Sequence, residues 1–238
     1  MGSKTKLVSF DVWDTLLSID KFYTRISEKL SNLVCAKQVD LERKLLEGYN
    51  ELKIMRRLGR FDDSKIVQMA LQAMSEILEI DTETIEKATV QAVIGSGSEQ
   101  YVVDGAIEAL ETAQGSGGEV VVIGNVVFWP GNYNRMLLEK AGLSKFFVNQ
   151  FYADEVGVSK PKPGIFSKAL SGFNVKPHEA IHVGNSLLED FVGAVLSGMG
   201  AVLIDRKVSN VTKLSDWNAY FVPDMRRLTD LLSTELLL

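Results

Sequence analysis

The sequence has little cysteine and histidine and no long hydrophobic run. One cysteine, Cys35, among 238 residues excludes an internal disulfide and a multi-cysteine metal site. The two histidines are too few for a histidine-rich metal site. No apolar run reaches the ~18 residues of a membrane-spanning helix, and residues 1–6 lead directly into a short apolar stretch, without the long apolar core of a signal peptide. We therefore expect a soluble, cytoplasmic protein.

A strong excess of one charge is also missing. The chain has 26 basic and 31 acidic side chains, a net charge of −5, which gives no general attraction to nucleic acid or to a membrane surface. Hydrophobic residues make up 46% and charged residues 24%, proportions typical of globular proteins and not of disordered chains. The length allows one large α/β unit or a larger domain that carries a smaller one.

Hydrophobic periodicity divides the chain into two parts. Between about residues 19 and 93, apolar side chains recur at spacings of three and four, which predicts four amphipathic helices and no strand. The breaks between these helices are predicted near Gln38, at 58–60 and at Asp81, and the sequence Gly-Ser-Gly-Ser at 95–98 has the composition of a linker.

The remaining residues alternate between predicted strands and helices. Strands are expected at 7–10, 120–123, 146–152, 180–183, 201–204 and 219–222, and helices at 105–113, 132–140, 165–170, 187–196 and 225–237. This alternation predicts a doubly wound, mostly parallel (Rossmann-like) sheet with helices on both faces. We therefore predict an α/β core domain formed by 1–18 and 100–238, with a four-helix domain of residues 19–99 inserted after the first strand.

Polar side chains follow four of the predicted strands. Asp11 follows the first strand, Gly124 and Asn125 follow the second, and Lys160 lies beyond the third. After the fourth come Asn185 and, five residues later, Asp190. Ligands of open α/β sheets bind outside the carboxyl ends of the strands. A carboxylate, a lysine and a second acidic or amide group there suit a charged, phosphorylated substrate.

These motifs resemble those of the haloacid dehalogenase-like hydrolases. Residues 10–16 (FDVWDTL) are similar to the first motif, 122–125 (VIGN) to the second, 160–163 (KPKP) to the third and 182–190 (HVGNSLLED) to the fourth. The predicted helical insertion lies where this family has its first type of cap domain. Residues 124–131 also resemble an archaeal phosphatase-like branch of the family.

The resemblance implies a role for each motif residue. Asp11 would attack phosphorus and form an aspartyl-phosphate, and Lys160 would neutralise the nucleophile and the transferred group. Backbone amides around Val12, Trp13 and Asn125 would bind phosphoryl oxygens.

A Mg²⁺ ion is also implied by the resemblance. Asp11, the main-chain carbonyl of Trp13, Asn185 and Asp190 would hold it through hard oxygen donors. The implied partner is a small phosphorylated metabolite, and the protein is expected to be a monomer or a homodimer.

Three residues depart from the family's phosphatase pattern. Trp13 stands where a second Asp acts as general acid and base, and an indole cannot supply that proton; Asp14, one residue further on, is expected to fix the loop. Gly124 replaces a phosphate-binding Ser or Thr, which removes one hydrogen bond but keeps the backbone amides. Asn185 replaces a metal-binding Asp, so the affinity for Mg²⁺ is expected to fall.

Three functions stay open. The leading hypothesis is a Mg²⁺-dependent phosphatase. A metal-independent 2-haloacid dehalogenase is the first alternative, since such enzymes carry an aromatic residue at the position of Trp13 and need an arginine for the halide. A catalytically weakened protein that binds phosphorylated ligands is the second. The candidate halide-binding arginines of the helical insertion are expected to lie mostly in solvent; they are Arg25, Arg43, Arg56, Arg57 and Arg60.

Two residues with reactive side chains are expected to be structural. His182 is predicted to be a buried, hydrogen-bonded core residue, and Cys35 to pack as a small hydrophobic side chain on a helix of the insertion.

Overall fold

The protein was examined as a computed structural model, which describes residues 5–95, 97–115, 117–214 and 217–236. Seven strands form one sheet in the order β3-β2-β1-β4-β5-β7-β6. They are β1 (Leu7–Phe10), β2 (Glu119–Gly124), β3 (Asn149–Tyr152), β4 (Ala180–Gly184), β5 (Gly200–Ile204), β6 (Thr212–Leu214) and β7 (Ala219–Val222). β6 pairs antiparallel to β7, and the other pairings are parallel.

The central strand β1 pairs with β2 on one side and with β4 on the other. Its four residues are fully buried although successive side chains point to opposite faces of a sheet. Both faces of the sheet are therefore covered, as the apolar strands predicted. Because the chain order reverses at β1, the carboxyl ends of β1, β2 and β4 surround a switch point where ligands of such sheets bind.

Four helices and no strand lie within residues 19–94, as the apolar spacing predicted. They are α1 (Ile19–Val34), α2 (Gln38–Arg57), α3 (Ile66–Leu78) and α4 (Thr82–Ile94). Side-chain caps define two of the starts: Ser18 accepts a hydrogen bond from the Lys21 amide, and Asp81 accepts one of 2.8 Å from the Thr84 amide. The division into two domains at 18/19 and 99/100 stays a prediction.

Six further helices follow the insertion. They are α5 (Ala106–Gly115), α6 (Gly131–Lys140), α7 (Ala153–Val156), α8 (Pro163–Ser171), α9 (Gly193–Leu196) and α10 (Met225–Leu231). Residues Leu187–Val192 and Leu232–Leu236 form π-helical turns. No helix of the described chain is both long and apolar enough to cross a membrane.

Several predicted boundaries need correction. The third strand begins at Asn149 and not at 146, because Ser144–Phe146 form a 3₁₀ turn. The four-residue helix α7 and the three-residue strand β6 were not predicted. The predicted end of the last helix, Leu237, lies outside the described residues, as does Ser96 of the predicted linker.

The prediction for Cys35 was wrong. Cys35 is exposed and forms the C-cap of α1 with a left-handed φ of 53°, so its side chain lies beyond the end of the helix and not against the core.

Aromatic side chains join the insertion to the sheet. The ring of Trp13 stacks on Phe22 of α1 at 5.4 Å, and Trp129 contacts Phe22 edge-on at 5.2 Å. Trp129 is 1% exposed, and its indole donates a 2.9 Å hydrogen bond to Asn134 of α6. Trp129 therefore anchors both the following helix α6 and the contact with α1.

Candidate active site

The structure brings Asp11, Lys160 and Asp190 together at the carboxyl end of the sheet. The Lys160 ammonium donates to Asp11 Oδ1 at 2.7 Å and to Asp190 Oδ1 at 2.6 Å. All three residues are buried, with exposures of 9%, 1% and 2% in chain order. One cation therefore lies between two carboxylates in a region of low dielectric, where each charge interacts strongly with the others.

Lys160 is held in place from both sides. Its ammonium also donates to the Ile123 carbonyl at 2.6 Å. The Asn125 side chain accepts from the Lys160 amide at 2.8 Å and donates to the Lys160 carbonyl at 3.1 Å. Asn125 thus positions the lysine with its side chain, and only its backbone is free for the predicted phosphate contact.

The two carboxylates titrate differently. Burial raises the pKa of Asp11 to about 7; Lys160 opposes this increase and the negative charge of Asp190 adds to it. For Asp190, burial also favours the neutral form, but Lys160 and a hydrogen bond from His182 outweigh it and hold the pKa well below its usual range. The pair of carboxylates therefore binds its first proton preferentially at Asp11.

The ring of His182 contacts the Asp190 carboxylate. Its Nε2 lies 3.3 Å from Asp190 Oδ1, and its Nδ1 lies 2.8 Å from Ser9 Oγ. Burial lowers the pKa of His182 to about 4, so the ring is neutral at pH 7. Since Asp190 accepts, Nε2 carries the proton and Nδ1 accepts from Ser9. The prediction of a buried, hydrogen-bonded core histidine is confirmed.

Two glycines make room for the site. A Cβ at Gly124 would lie 2.9 Å from the ring of Tyr152, and a Cβ at Gly184 would lie even closer to the Asp190 side chain. Neither distance is compatible with a side chain at these positions. The missing hydroxyl at 124 therefore has a steric reason: Tyr152 occupies the space that a Ser or Thr needs.

The turn after β1 separates Trp13 from Asp14. Asp14 Oδ1 accepts a 3.1 Å hydrogen bond from the Ile19 amide, and its φ is 58°. Asp14 thus fixes the loop at the start of α1, as expected. Trp13 is 5% exposed and lines the cavity beside Asp11, and its indole N–H has no acceptor among the described residues.

Helix α2 supplies three residues to this cavity, of which only Arg56 was a candidate from the sequence, as a halide-binding arginine. Tyr49, Lys53 and Arg56 line the same cavity as Asp11. Their spacing of four and three places them on one face of the helix, and this spacing was the available signal. The expectation of solvated arginines is wrong for Arg56, whose side chain is only 9% exposed.

A cluster of ion pairs, which we term the Glu189 latch, joins α2 to the fourth motif. Arg56 donates to the Val126 carbonyl at 2.7 Å and to the Glu189 carboxylate at 3.4 Å. Arg57 donates to Glu189 at 3.3 Å and to Ser186 Oγ at 3.3 Å. Glu189 is buried and was not predicted as a site residue.

A second contact joins the insertion to the loop that carries Lys160. Asp63, just after α2, accepts from Ser159 Oγ at 2.9 Å and from the Lys162 ammonium at 2.6 Å. The insertion thus contacts the rest of the chain both at Glu189 and at the loop that carries Lys160.

The cavity at Asp11 has a volume of about 20 Å³, enough for about one water molecule. Asn125, Asn185, Ser186 and Asp190 complete its core side. The structure therefore places Asn185, which is half-buried, at the same cavity as Asp11 and Asp190.

The donors at this cavity have the chemistry that Mg²⁺ prefers. Two carboxylates, the amide oxygen of Asn185 and main-chain carbonyls are hard oxygen ligands. However, both carboxylates contact Lys160, and the described residues contain no cluster of three or more His, Cys, Asp or Glu side chains suited to a metal. The residues fit a magnesium ion held with less negative charge than a site of three carboxylates provides.

The fold and this site define a class: an α/β enzyme with a lysine-paired carboxylate at the sheet switch point. The comparisons with known proteins identify the family. A family model for haloacid dehalogenase-like hydrolases matches residues 5–197, and the chain belongs to this family of hydrolytic enzymes.

Two curated relatives illustrate the range of the family. The haloacid dehalogenase-like hydrolase domain-containing protein 3 of Xenopus laevis is 28% identical over 217 residues, 85% of each chain. The glyceraldehyde 3-phosphate phosphatase of Pyrococcus furiosus is 38% identical over 97 residues, which cover 39% of this chain and 40% of that protein. The second likeness therefore covers less than half of either chain.

Solved structures confirm the fold. YfnB of Bacillus subtilis, described as a HAD-hydrolase and solved with bound magnesium, gives a TM-score of 0.76 at 17% identity, with 97% of this chain and 99% of that chain covered. The L-2-haloacid dehalogenase of Xanthobacter autotrophicus, with chloropropionic acid covalently bound, gives a TM-score of 0.70 at 14% identity, with coverages of 97% and 99%.

Proposed function

We propose that this hydrolase is a Mg²⁺-dependent phosphatase of a small phosphorylated metabolite, with Asp11 as nucleophile. The observation that carries the proposal is the buried Asp11–Lys160 pair at the switch point, 2.7 Å apart. Relatives named as phosphatases, among them those for glyceraldehyde 3-phosphate and phosphoserine, support this chemistry.

The reaction proceeds in two displacements at phosphorus. An Asp11 oxygen forms a bond to phosphorus while the bond to the leaving oxygen breaks, which gives an aspartyl-phosphate. Water then attacks the same phosphorus, phosphate leaves, and the Asp11 carboxylate is restored. Lys160 offsets the charge of the transferred group in a site from which water is largely excluded.

The leaving oxygen receives its proton from water and not from residue 13, since the Trp13 indole is not acidic enough to supply it. We therefore propose that leaving groups that are stable as anions, such as those of aryl and acyl phosphates, are preferred.

Asp11, the Trp13 carbonyl, Asn185 and Asp190 would hold the magnesium ion. When bound, the ion supplies positive charge against the phosphoryl oxygens and orients the ester for in-line attack. The reduced number of carboxylates supports a weak affinity.

Substrate access requires a movement of the insertion. The cavity at Asp11 has a volume of about 20 Å³, whereas sites for small molecules usually span roughly 300–1,000 Å³. We propose that residues 19–99 act as a cap that opens at the Glu189 latch and at Asp63, admits the substrate and closes to exclude water.

A metal-independent 2-haloacid dehalogenase is the second candidate. Trp13 and Arg56 lie at the same cavity as Asp11, which supplies an aromatic wall and an arginine for a halide. The phosphatase remains the better proposal because the guanidinium of Arg56 is already bound to Glu189 and to the Val126 carbonyl.

One assay set separates these functions. The purified protein is offered phenyl phosphate and, separately, 2-chloropropionate, each with Mg²⁺ and with chelator. Phosphate release that depends on Mg²⁺, and that Asp11→Asn abolishes, is the expected result. Chloride release unaffected by chelator would establish the dehalogenase, and absence of both products would leave a protein that binds phosphorylated ligands without turnover.

A further inference from the structure

Three hydrogen-bond donors at the Asp11 cavity lack acceptors. The Trp13 indole N–H and the Arg56 Nε are buried and have no partner among the described residues. Lys53 makes no ion pair within the described chain, and its ammonium lies 4.9 Å from the centroid of the Tyr49 ring. A buried donor without an acceptor costs free energy, so the Trp13 and Arg56 groups indicate that a ligand supplies oxygen atoms here, and the half-buried Lys53 adds a positive charge beside them.

The charges at the cavity indicate which donor is available to an anion. Lys160 is engaged by two carboxylates, and the charge of Arg56 is balanced by Glu189 at 3.4 Å. Lys53 forms no ion pair in the described chain, although its charge opposes the rise that burial causes in the pKa of Asp14. A transferred phosphoryl group lies next to Asp11 and Lys160, so Lys53 is available for a different part of the substrate.

Lys53 and Arg56 act from one helix face. Together with Tyr49 they follow the spacing i, i+4, i+7 on α2 and line one cavity. When the insertion closes, both cationic side chains reach the substrate together, and the Tyr49 ring keeps the Lys53 ammonium close to the cavity.

We infer that the substrate carries a second anionic group, a carboxylate or a second phosphate, besides the phosphoryl group that is transferred. Lys53 binds this group, assisted by the free Nε of Arg56. Lys53 is thus a specificity-determining residue, and the inference rests on the proposed phosphatase function.

The test compares two esters that differ in one charge, 4-carboxyphenyl phosphate and its neutral isostere 4-carbamoylphenyl phosphate. A charge-assisted hydrogen bond in a partly buried site corresponds to a preference of roughly 10- to 100-fold. We expect the wild-type protein to show such a ratio in kcat/KM in favour of the carboxylate. Lys53→Met is expected to bring the ratio close to one, and Lys53→Arg to retain most of it.

Lys37→Met is the matched control, since Lys37 is exposed at the other end of α2 and is expected to leave the ratio unchanged. Equal kcat/KM for both esters in the wild-type protein, with release dependent on Mg²⁺, overturns the inference and keeps the phosphatase. An unchanged ratio in Lys53→Met also overturns it. Absence of phosphate release from either ester overturns the phosphatase and the inference together.

Discussion

Asp11 and Asp190 share one ammonium group but differ in their other neighbours. Asp190 also accepts from His182 and from the Ser186 amide at 2.8 Å, whereas Asp11 faces the cavity. The proposed nucleophile is therefore the carboxylate with fewer stabilising partners, which would keep it basic enough to attack phosphorus. Asp11 follows the buried strand β1, and Asp190 lies in the turn after the buried strand β4. The packing of these two strands therefore sets the positions of both carboxylates.

The raised pKa of Asp11 gives a prediction for stability. In the folded protein this pKa is about 7 against an ordinary value of 3.8, so the folded state binds the proton more tightly than the unfolded state between these values. Stability that depends on this proton is present at low pH and is lost as pH rises toward 7. We expect Asp11→Asn, without metal, to have a higher melting temperature than wild type at pH 8, and the difference to shrink at pH 5.

Thermal melts in chelator at the two pH values measure this difference. The His182 contribution is common to both proteins and cancels. Asp104→Asn, at an exposed position, serves as control and is expected to track the wild type. A difference that grows toward low pH would contradict the assignment of the proton to Asp11.

Asn185 allows a separate test of the proposed magnesium site. Asn185→Asp adds a negative charge to the oxygen donors at the cavity, so we expect the apparent Mg²⁺ affinity to rise at least about tenfold. The measurement is the Mg²⁺ dependence of phenyl phosphate hydrolysis, with Mg²⁺-dependent thermal shift as a readout independent of turnover. Unchanged affinity by both methods would remove Asn185 from the ligands.

At the scale of the elements, the sequence predicted the long helices but not the shortest helix and the shortest strand. The helices α1–α4 were predictable because 13 to 20 residues each show a repeated apolar spacing. The strand β6 has three residues, and α7 has four, which is too few for a period to be recognised. The motif residues were predictable because each follows a buried strand. The burial of Arg56 was not, since it depends on how α2 packs over the strand ends.

The Glu189 latch connects two elements, and its removal is expected to weaken their contact. Glu189→Gln leaves the buried Arg56 guanidinium without a counter-charge, so we expect the free energy of unfolding to fall by roughly 1–3 kcal/mol. We also expect faster amide hydrogen exchange in α2, because the insertion separates more often. Denaturant unfolding and exchange by mass spectrometry measure the two effects.

Glu47→Gln is the matched control for the latch. Glu47 pairs with Arg43 on the exposed face of the same helix, with side-chain exposures of 60% and 59%. The loss of such a surface pair is expected to change stability by less than about 1 kcal/mol. Equal effects of the two substitutions would mean that the latch contributes no more than a surface ion pair.

On the scale of the whole molecule, the sheet and the insertion form one closed body around Asp11. Trp13 and Trp129 contact α1 through their aromatic rings. Glu189 contacts the end of α2, and Asp63 contacts the loop that carries Lys160. Because the cavity holds about one water molecule, the proposed hydrolysis of a metabolite would require these contacts to separate. These contacts join segments that are far apart in the sequence, so the spacing of residues along the chain does not predict them.

Preventing this separation is therefore expected to abolish turnover. The short side chains of Asp63 and Ser159 lie in contact, with 2.9 Å between Oδ1 and Oγ. In a Cys35→Ser background, Asp63→Cys and Ser159→Cys can be bridged by a short bifunctional thiol reagent. We expect the bridged protein to lose at least about 90% of its phenyl phosphate turnover relative to the same variant treated with a monofunctional reagent, because only the bridge holds the insertion against the Lys160 loop.

The monofunctional treatment controls for the loss of the Asp63 contacts and for modification beside Lys160. Equal turnover of the two preparations would show that the substrate reaches Asp11 without separation at Asp63, and access would then have to occur on the α2 side, through the Glu189 latch alone.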